Sequence, residues 1–210
     1  MSTPDERHLA ALSTSLAEAA DLAAWLKASE QLHKGILVLA GMLASTLEQG
    51  HRVLTCGNGG SMCDAMHFAQ ELSGHFRGRR KALAAHAISD PSHLTCVAND
   101  EGFERVFARG VEAWGRKGDA LVVFSTSGNS PNILAAVEAA KAAGLMTYAL
   151  LGRDGGAVHG LCNMSIVVPG TTSDRIQEVH IKIVHLLIEQ IEARLFGSTL
   201  PHLAGREEAS

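Results

Sequence analysis

Aromatic side chains are scarce in this chain: six Phe, two Trp and one Tyr among 210 residues. Apolar residues still make up 46%, so a core must be built from Ala, Val, Leu and Ile, which suits an α/β domain. Cysteine is sparse too. Cys56, Cys63, Cys96 and Cys162 are scattered and form no C-x-x-C pair, which argues against a disulfide framework and reads as reduced cytosolic thiols. Positive charge is not in excess. A net charge of -4 and a pI near 6.2 give no electrostatic case for nucleic acid or an anionic membrane. No apolar run approaches the roughly 20 residues that span a bilayer, and the charged opening MSTPDERHLAALS lacks the apolar stretch of a signal peptide. No Gly-Lys-Ser/Thr occurs anywhere, which excludes a Walker loop. The class left standing is a soluble cytoplasmic enzyme or binding protein of one domain, with room for an added helical piece.

What is present centres on Val53 to Leu72, VLTCGNGGSMCDAMHFAQEL. A short apolar run ends abruptly in Gly57-Asn58-Gly59-Gly60, the pattern of a buried strand running into a tight turn. Ser61 and Asp64 have the spacing of a capping box and predict a helix start. On that helix Met62, Ala65, Met66, Ala69, Leu72 and Phe76 share one side, and His67 and Glu71 the other. Strand, glycine turn and helix N-terminus together make an anion site from backbone N–H groups and the helix dipole. A dinucleotide fingerprint is a weak alternative, because G-x-G-x-x-G would need glycine at Met62.

Around this unit the chain alternates. Thr3-Pro4-Asp5-Glu6 predicts a helix start, followed by Leu9, Leu12 and Leu16 at helical spacing to about Lys27. A second helix carries Leu32, Ile36, Leu39, Leu43 and Leu47 and ends at Gly50. Residues 1–50 are thus expected as a helical segment that packs on the sheet and on a second subunit. Arg77-Gly78-Arg79-Arg80-Lys81 reads as a solvated basic turn, or as a patch that steers an anionic substrate. Strands are expected at 83–89, 121–124, 147–151 and 165–168, a brief helix at 93–97, a turn at 99–102 and a helix at 103–114. Ser130-Pro131 opens a helix that runs through Lys141, and a last helix runs from about Asp174 to Phe196. The fold expected is a three-layer αβα sandwich around a doubly wound, mainly parallel five-stranded sheet, over residues 51–197. Residues 198–210 have no periodicity and are expected to be a disordered tail.

The loop Ser125-Thr126-Ser127-Gly128-Asn129-Ser130 follows the clearest strand and opens a helix. Its hydroxyls and amides fit a phosphate, although a polar loop with a serine cap remains the plain alternative. His67 and Glu71, taken alone, are an exposed i, i+4 pair worth a few tenths of a kcal/mol. His185 alone could be a surface histidine and Gln177 a helix-start residue; His180, on the apolar stripe, reads as a hydrogen-bonded core histidine.

The segments GNGGSMCDAMHFAQE, AISDPSHLTCVAND, FSTSGNSPN and SDRIQEVHIKIVH together resemble the sugar isomerase (SIS) family, over about residues 5 to 196. Within that family the resemblance is to members acting on a heptose phosphate. It implies an aldose–ketose isomerase converting sedoheptulose 7-phosphate to D-glycero-D-manno-heptose 7-phosphate through an enediol, the first step towards nucleotide-activated heptose for cell-surface polysaccharide. It also implies a homotetramer with active sites between subunits. One zinc ion would be held by His67, Glu71, Gln177 and His185. Substrate contacts would fall on Asn58, Gly59, Gly60, Ser61, Glu71, Asn99, Asp100 and Gln177, with Ser125, Thr126, Ser127 and Ser130 around the phosphate. Glu71 is the expected base and His185 the expected acid, residue types suited to moving a proton between C1 and C2. A non-catalytic SIS module that binds a sugar phosphate and a protein partner is one alternative, and an isomerase of another sugar phosphate is a second.

Overall fold

The computed structural model describes residues 3–197. Helix α1 spans Pro4–Ala28 and opens as read: Thr3 Oγ1 accepts from the Glu6 amide, and Glu6 accepts in return from the Thr3 amide. Ser29 caps the start of α2, Glu30–Glu48, by accepting from the Leu32 amide. The two helices differ in what they bury. Leu32, Ile36, Leu39, Leu43 and Leu47 of α2 are all in the core, each contributing about 1.5–3 kcal/mol. Leu9, Leu12 and Leu16 of α1 are instead 66%, 62% and 70% exposed.

The rest alternates strand and helix: β1 Val53–Gly57, α3 Gly60–Ser73, β2 Ala85–Ala87, α4 Pro91–Asp100, a 3-10 turn at Phe103–Arg105, α5 Val106–Trp114, β3 Ala120–Ser125, α6 Pro131–Ala142, β4 Met146–Gly152, α7 Gly156–His159, β5 Met164–Val168 and α8 Ser173–Phe196. All strand pairs are parallel, in the order β2-β1-β3-β4-β5. α2, α3 and α8 cover one face of the sheet, with α1 packed on α8, and α4 to α7 cover the other, giving the expected three layers. No helix of the described residues is long and apolar enough to cross a membrane.

Several local expectations need correction. The second strand is three residues long, shorter than 83–89. Asn99 and Asp100 form the last turn of α4 rather than a loop. The Ser61–Asp64 capping box does not form: Gly59 is the N-cap, with no side-chain bond, and Ser61 and Asp64 turn inward with Ala65, Phe68, Ala69 and Leu72. Met66, expected on the core side, is exposed. The short α7 was not foreseen. The tail from 198 to 210 lies outside the described residues.

One topological fact places the site. β1 and β3 are neighbours in the sheet but are separated in sequence by β2, which lies outside β1. The loops that leave their carboxyl ends therefore diverge to opposite faces and leave a crevice between them.

Candidate active site

The two loops predicted to grip an anion meet in that crevice. Asn58 and Asn132 join them by a reciprocal amide pair, Asn58 Nδ2 to Asn132 Oδ1 at 2.9 Å and Asn132 Nδ2 to Asn58 Oδ1 at 2.8 Å. Between the loops lies a cavity of about 180 Å³. Asn58, Ser61 and Gln177 line one side; Ser125, Thr126, Ser127 and Ser130 line the other. Ser173, which was not anticipated, completes the rim, with its Oγ 3.0 Å from Thr126 Oγ1.

The loop holds its own shape through its hydroxyls. Ser125 Oγ accepts from the Gly128 amide at 3.0 Å, and Ser127 Oγ accepts from the Asn129 amide at 3.2 Å. Ser130 starts α6, but its hydroxyl caps nothing and remains available. Gly60 is required by a close approach: a Cβ there would stand 2.5 Å from Gln177 Oε1. Gly59, at φ +54°, holds a turn that L side chains resist.

Parallel strands deliver all their following helices with the same polarity. α3, α6 and α8 each place first-turn or capping residues on the cavity. The positive ends of three helix dipoles therefore converge on a lining that contains hydroxyls and amides and no cationic side chain. This arrangement suits a phosphate.

Further along α3 and α8 stand the remaining candidates. His67 Nε2 is 3.3 Å from Glu71 Oε1 and 3.2 Å from His185 Nε2. His185 stacks on Phe76, with centroids 5.5 Å apart and planes at 29°. Burial lowers the His185 pKa below the usual imidazole value, and the neighbouring His67 lowers it further, so its ring is favoured in the neutral form. Among the described residues no three His, Cys, Asp or Glu side chains are already gathered as a metal cluster. Two of the donor spacings are nevertheless those of paired zinc ligands. Two ligands at 2.0–2.1 Å from a tetrahedral zinc lie roughly 3.4 Å from each other, close to both distances measured at His67.

The other predicted ligand does not join them. Gln177 Nε2 points to Ser61 Oγ at 3.5 Å, in the cavity between the two loops. Asn99 and Asp100 are also apart from the cavity within one chain. They bond to each other at 2.7 Å, and Asp100 lines a separate hollow with His93, Cys96 and Glu112.

Two buried polar groups lack a partner among the described residues, Asp64 Oδ2 and His180 Nδ1. Burial pushes the Asp64 carboxyl up to about 6. His180 is the core histidine expected: Nε2–H donates to the Leu151 carbonyl at 3.1 Å, and burial pushes its pKa down to about 4. Asn132 and Ser173 were missed because neither carries a local signal. Their roles arise only when segments distant in sequence meet.

Comparison with known proteins finds close likeness in sequence and fold. The family model described as SIS domain matches residues 17–152. A phosphoheptose isomerase of Vibrio vulnificus is 54% identical over 181 residues, covering 86% of this chain and 95% of that one. The structure of a phosphoheptose isomerase from Neisseria gonorrhoeae superposes with a TM-score of 0.77 at 37% identity, covering 91% of this chain and all of the other. One from Francisella tularensis gives 0.78 at 36% identity, covering 90% and 98%.

Proposed function

The chain belongs to the SIS domain family, and within it to the phosphoheptose isomerases, and from that premise we propose how its crevice converts sedoheptulose 7-phosphate to D-glycero-D-manno-heptose 7-phosphate. One observation carries the reading: α3 and α8 bear a phosphate-shaped cavity at their starts and an acid–base group, His67, Glu71 and His185, further along. A sugar phosphate held at one end thus presents its carbonyl end to proton-transfer chemistry.

The phosphate is taken by the hydroxyls of Ser125, Thr126, Ser127 and Ser130 and by the converging helix N-termini. Glu71 removes the carbon-bound proton and returns it to the neighbouring carbon after the enediol forms. His185, neutral and half-buried, moves the oxygen-bound proton. His67 orients both, being in reach of each. His67, Glu71 and His185 would hold one zinc ion, with Gln177 as a fourth ligand; bound there, zinc supplies Lewis-acid polarisation of the sugar oxygens. Gln177 and His185 are eight residues apart, roughly 12 Å along a helix. Gln177 would therefore reach the ion from a neighbouring copy. A homotetramer with shared sites meets that need, and it gives the exposed Leu9, Leu12 and Leu16 of α1 a surface to bury against. Asn99 and Asp100, remote from the cavity of their own chain, would also reach substrate from a neighbour. The product would feed nucleotide-activated heptose in the cytoplasm.

The direct test is NMR detection of product from sedoheptulose 7-phosphate, using purified protein of measured metal content. Product should form; none from well-folded, zinc-loaded protein would remove the isomerase reading and leave a sugar-phosphate binding module. Exhaustive chelation should suppress the rate and zinc should restore it. Full-speed turnover by metal-free protein would remove zinc.

A second expectation concerns the loop. Ser125→Ala and Ser127→Ala should each weaken binding of the phosphorylated sugar by roughly 10-fold, the scale of one hydrogen bond to a charged group. Circular dichroism should stay unchanged. Equal affinity in both variants, measured by calorimetry, would move the phosphate elsewhere.

A further inference from the structure

In the basic run after α3, Arg77, Gly78, Arg79 and Lys81 are exposed as a solvated turn should be, but Arg80 is not. Arg80 has a side chain only 6% exposed. Its Nε donates to Glu192 Oε1 at 2.6 Å. One terminal nitrogen donates to the Glu71 carbonyl at 2.6 Å, and the other to the carbonyls of Leu72 at 2.8 Å and Gly74 at 2.9 Å. Last-turn helix carbonyls have no partner within the helix, so one guanidinium finishes the end of α3 and ties it to α8. Arg77 adds a second tie. It meets Glu189 at 2.5 Å, and its guanidinium lies 4.8 Å from the centroid of Phe76, the ring on which His185 stacks. Glu189 and Glu192 follow His185 by four and seven residues, one and two turns along the same side of α8.

We propose that Arg80 and Glu192 are positioning residues for the isomerisation, together setting the separation between Glu71 and His185. The inference rests on the functional reading above. The pair holds the main chain of Glu71 directly and reaches the helix of His185 through Glu192. It touches nothing in the phosphate cavity. Stability alone is a weak reason for such a pair, since apolar side chains of similar volume commonly serve as well as a buried ion pair. The fork geometry matters as well: lysine has no planar set of donors to serve Glu192 and three carbonyls at once.

The experiment compares Arg80→Lys, Glu192→Gln and the double variant Arg80→Met/Glu192→Leu with the parent enzyme. KM for sedoheptulose 7-phosphate should stay within about twofold, because binding of the phosphate is untouched. kcat should fall roughly 10- to 100-fold, the scale of a misplacement of about 1 Å. Should a single variant fail to fold, the double variant, with no buried charge left, is expected to fold and still turn over slowly. Parent-like kcat in any folded variant, with only a lower melting temperature, would overturn the proposal. If the parent itself makes no product, the functional reading fails instead. The pair is then judged by the histidine ring resonances of 15N-labelled protein: the His185 signals should shift in each folded variant, and unmoved signals would overturn the positioning role.

Discussion

Glu71→Gln will reduce turnover by roughly 100- to 10,000-fold, the contribution expected of a positioned general base, and will leave the fold and the assembly unchanged. The side chain is half-buried and is not among the buried residues, Ala65, Phe68 and Leu72, that anchor α3 to the sheet. Among the described residues its carboxylate meets His67, at 3.3 Å. Gln preserves size and one acceptor oxygen but cannot take a proton at neutral pH. The main-chain carbonyl, which Arg80 holds, is the same in both proteins. Melting temperature and elution volume should therefore match the parent while product formation collapses. Near-parent turnover would remove Glu71 from the chemistry.

Chains carrying Glu71→Gln and chains carrying Gln177→Ala, each inactive alone, will recover activity when co-expressed into mixed assemblies. His67, Glu71 and His185 come together within one chain, whereas the Gln177 amide lies at Ser61 and Gly60. If Gln177 serves a neighbour, some mixed sites combine an intact triplet from one chain with an intact glutamine from another. Differently tagged chains allow the mixed species to be isolated before assay. Inactive mixed assemblies would confine Gln177 to its own chain. The matching control pairs Glu71→Gln with His185→Ala. Both residues belong to one chain's triplet, so this pair should stay silent; recovered activity there would overturn the single-chain triplet.

What could be read in advance follows the reach of the forces involved. The stripe of α2 was legible because helical periodicity and burial coincide at every position from Leu32 to Leu47. The loop at Ser125 was legible because a continuous apolar strand ends there and Ser130-Pro131 restarts a helix. Ser61 and Asp64 misled because their spacing matches a cap, while Gly59 already provides the turn and frees both side chains to point inward. The Asn58–Asn132 pair joins residues 74 apart, and Arg80 meets Glu192 across 112. No local pattern announces such partners. Arg80 could not be told from its exposed neighbours in the run at 77–81, because its counter-charge Glu192 lies on α8, and only the packing of α3 against α8 brings the two within reach.

The cavity fed by three helix starts has a consequence for how such a protein can change over time. On the proposed reading, much of its hold on an anion would come from main-chain amides and aligned peptide dipoles. Amino-acid replacement erases these less readily than a lysine or arginine, and they do not titrate as a histidine would. Affinity for a phosphorylated ligand is therefore the conservative property of the scaffold, tied to strand order and helix polarity. The side chains about two to three turns further along, His67, Glu71 and His185 here, would be the replaceable part. Lineages built on this sheet could exchange one sugar reaction for another, or lose catalysis altogether, and still keep the phosphate.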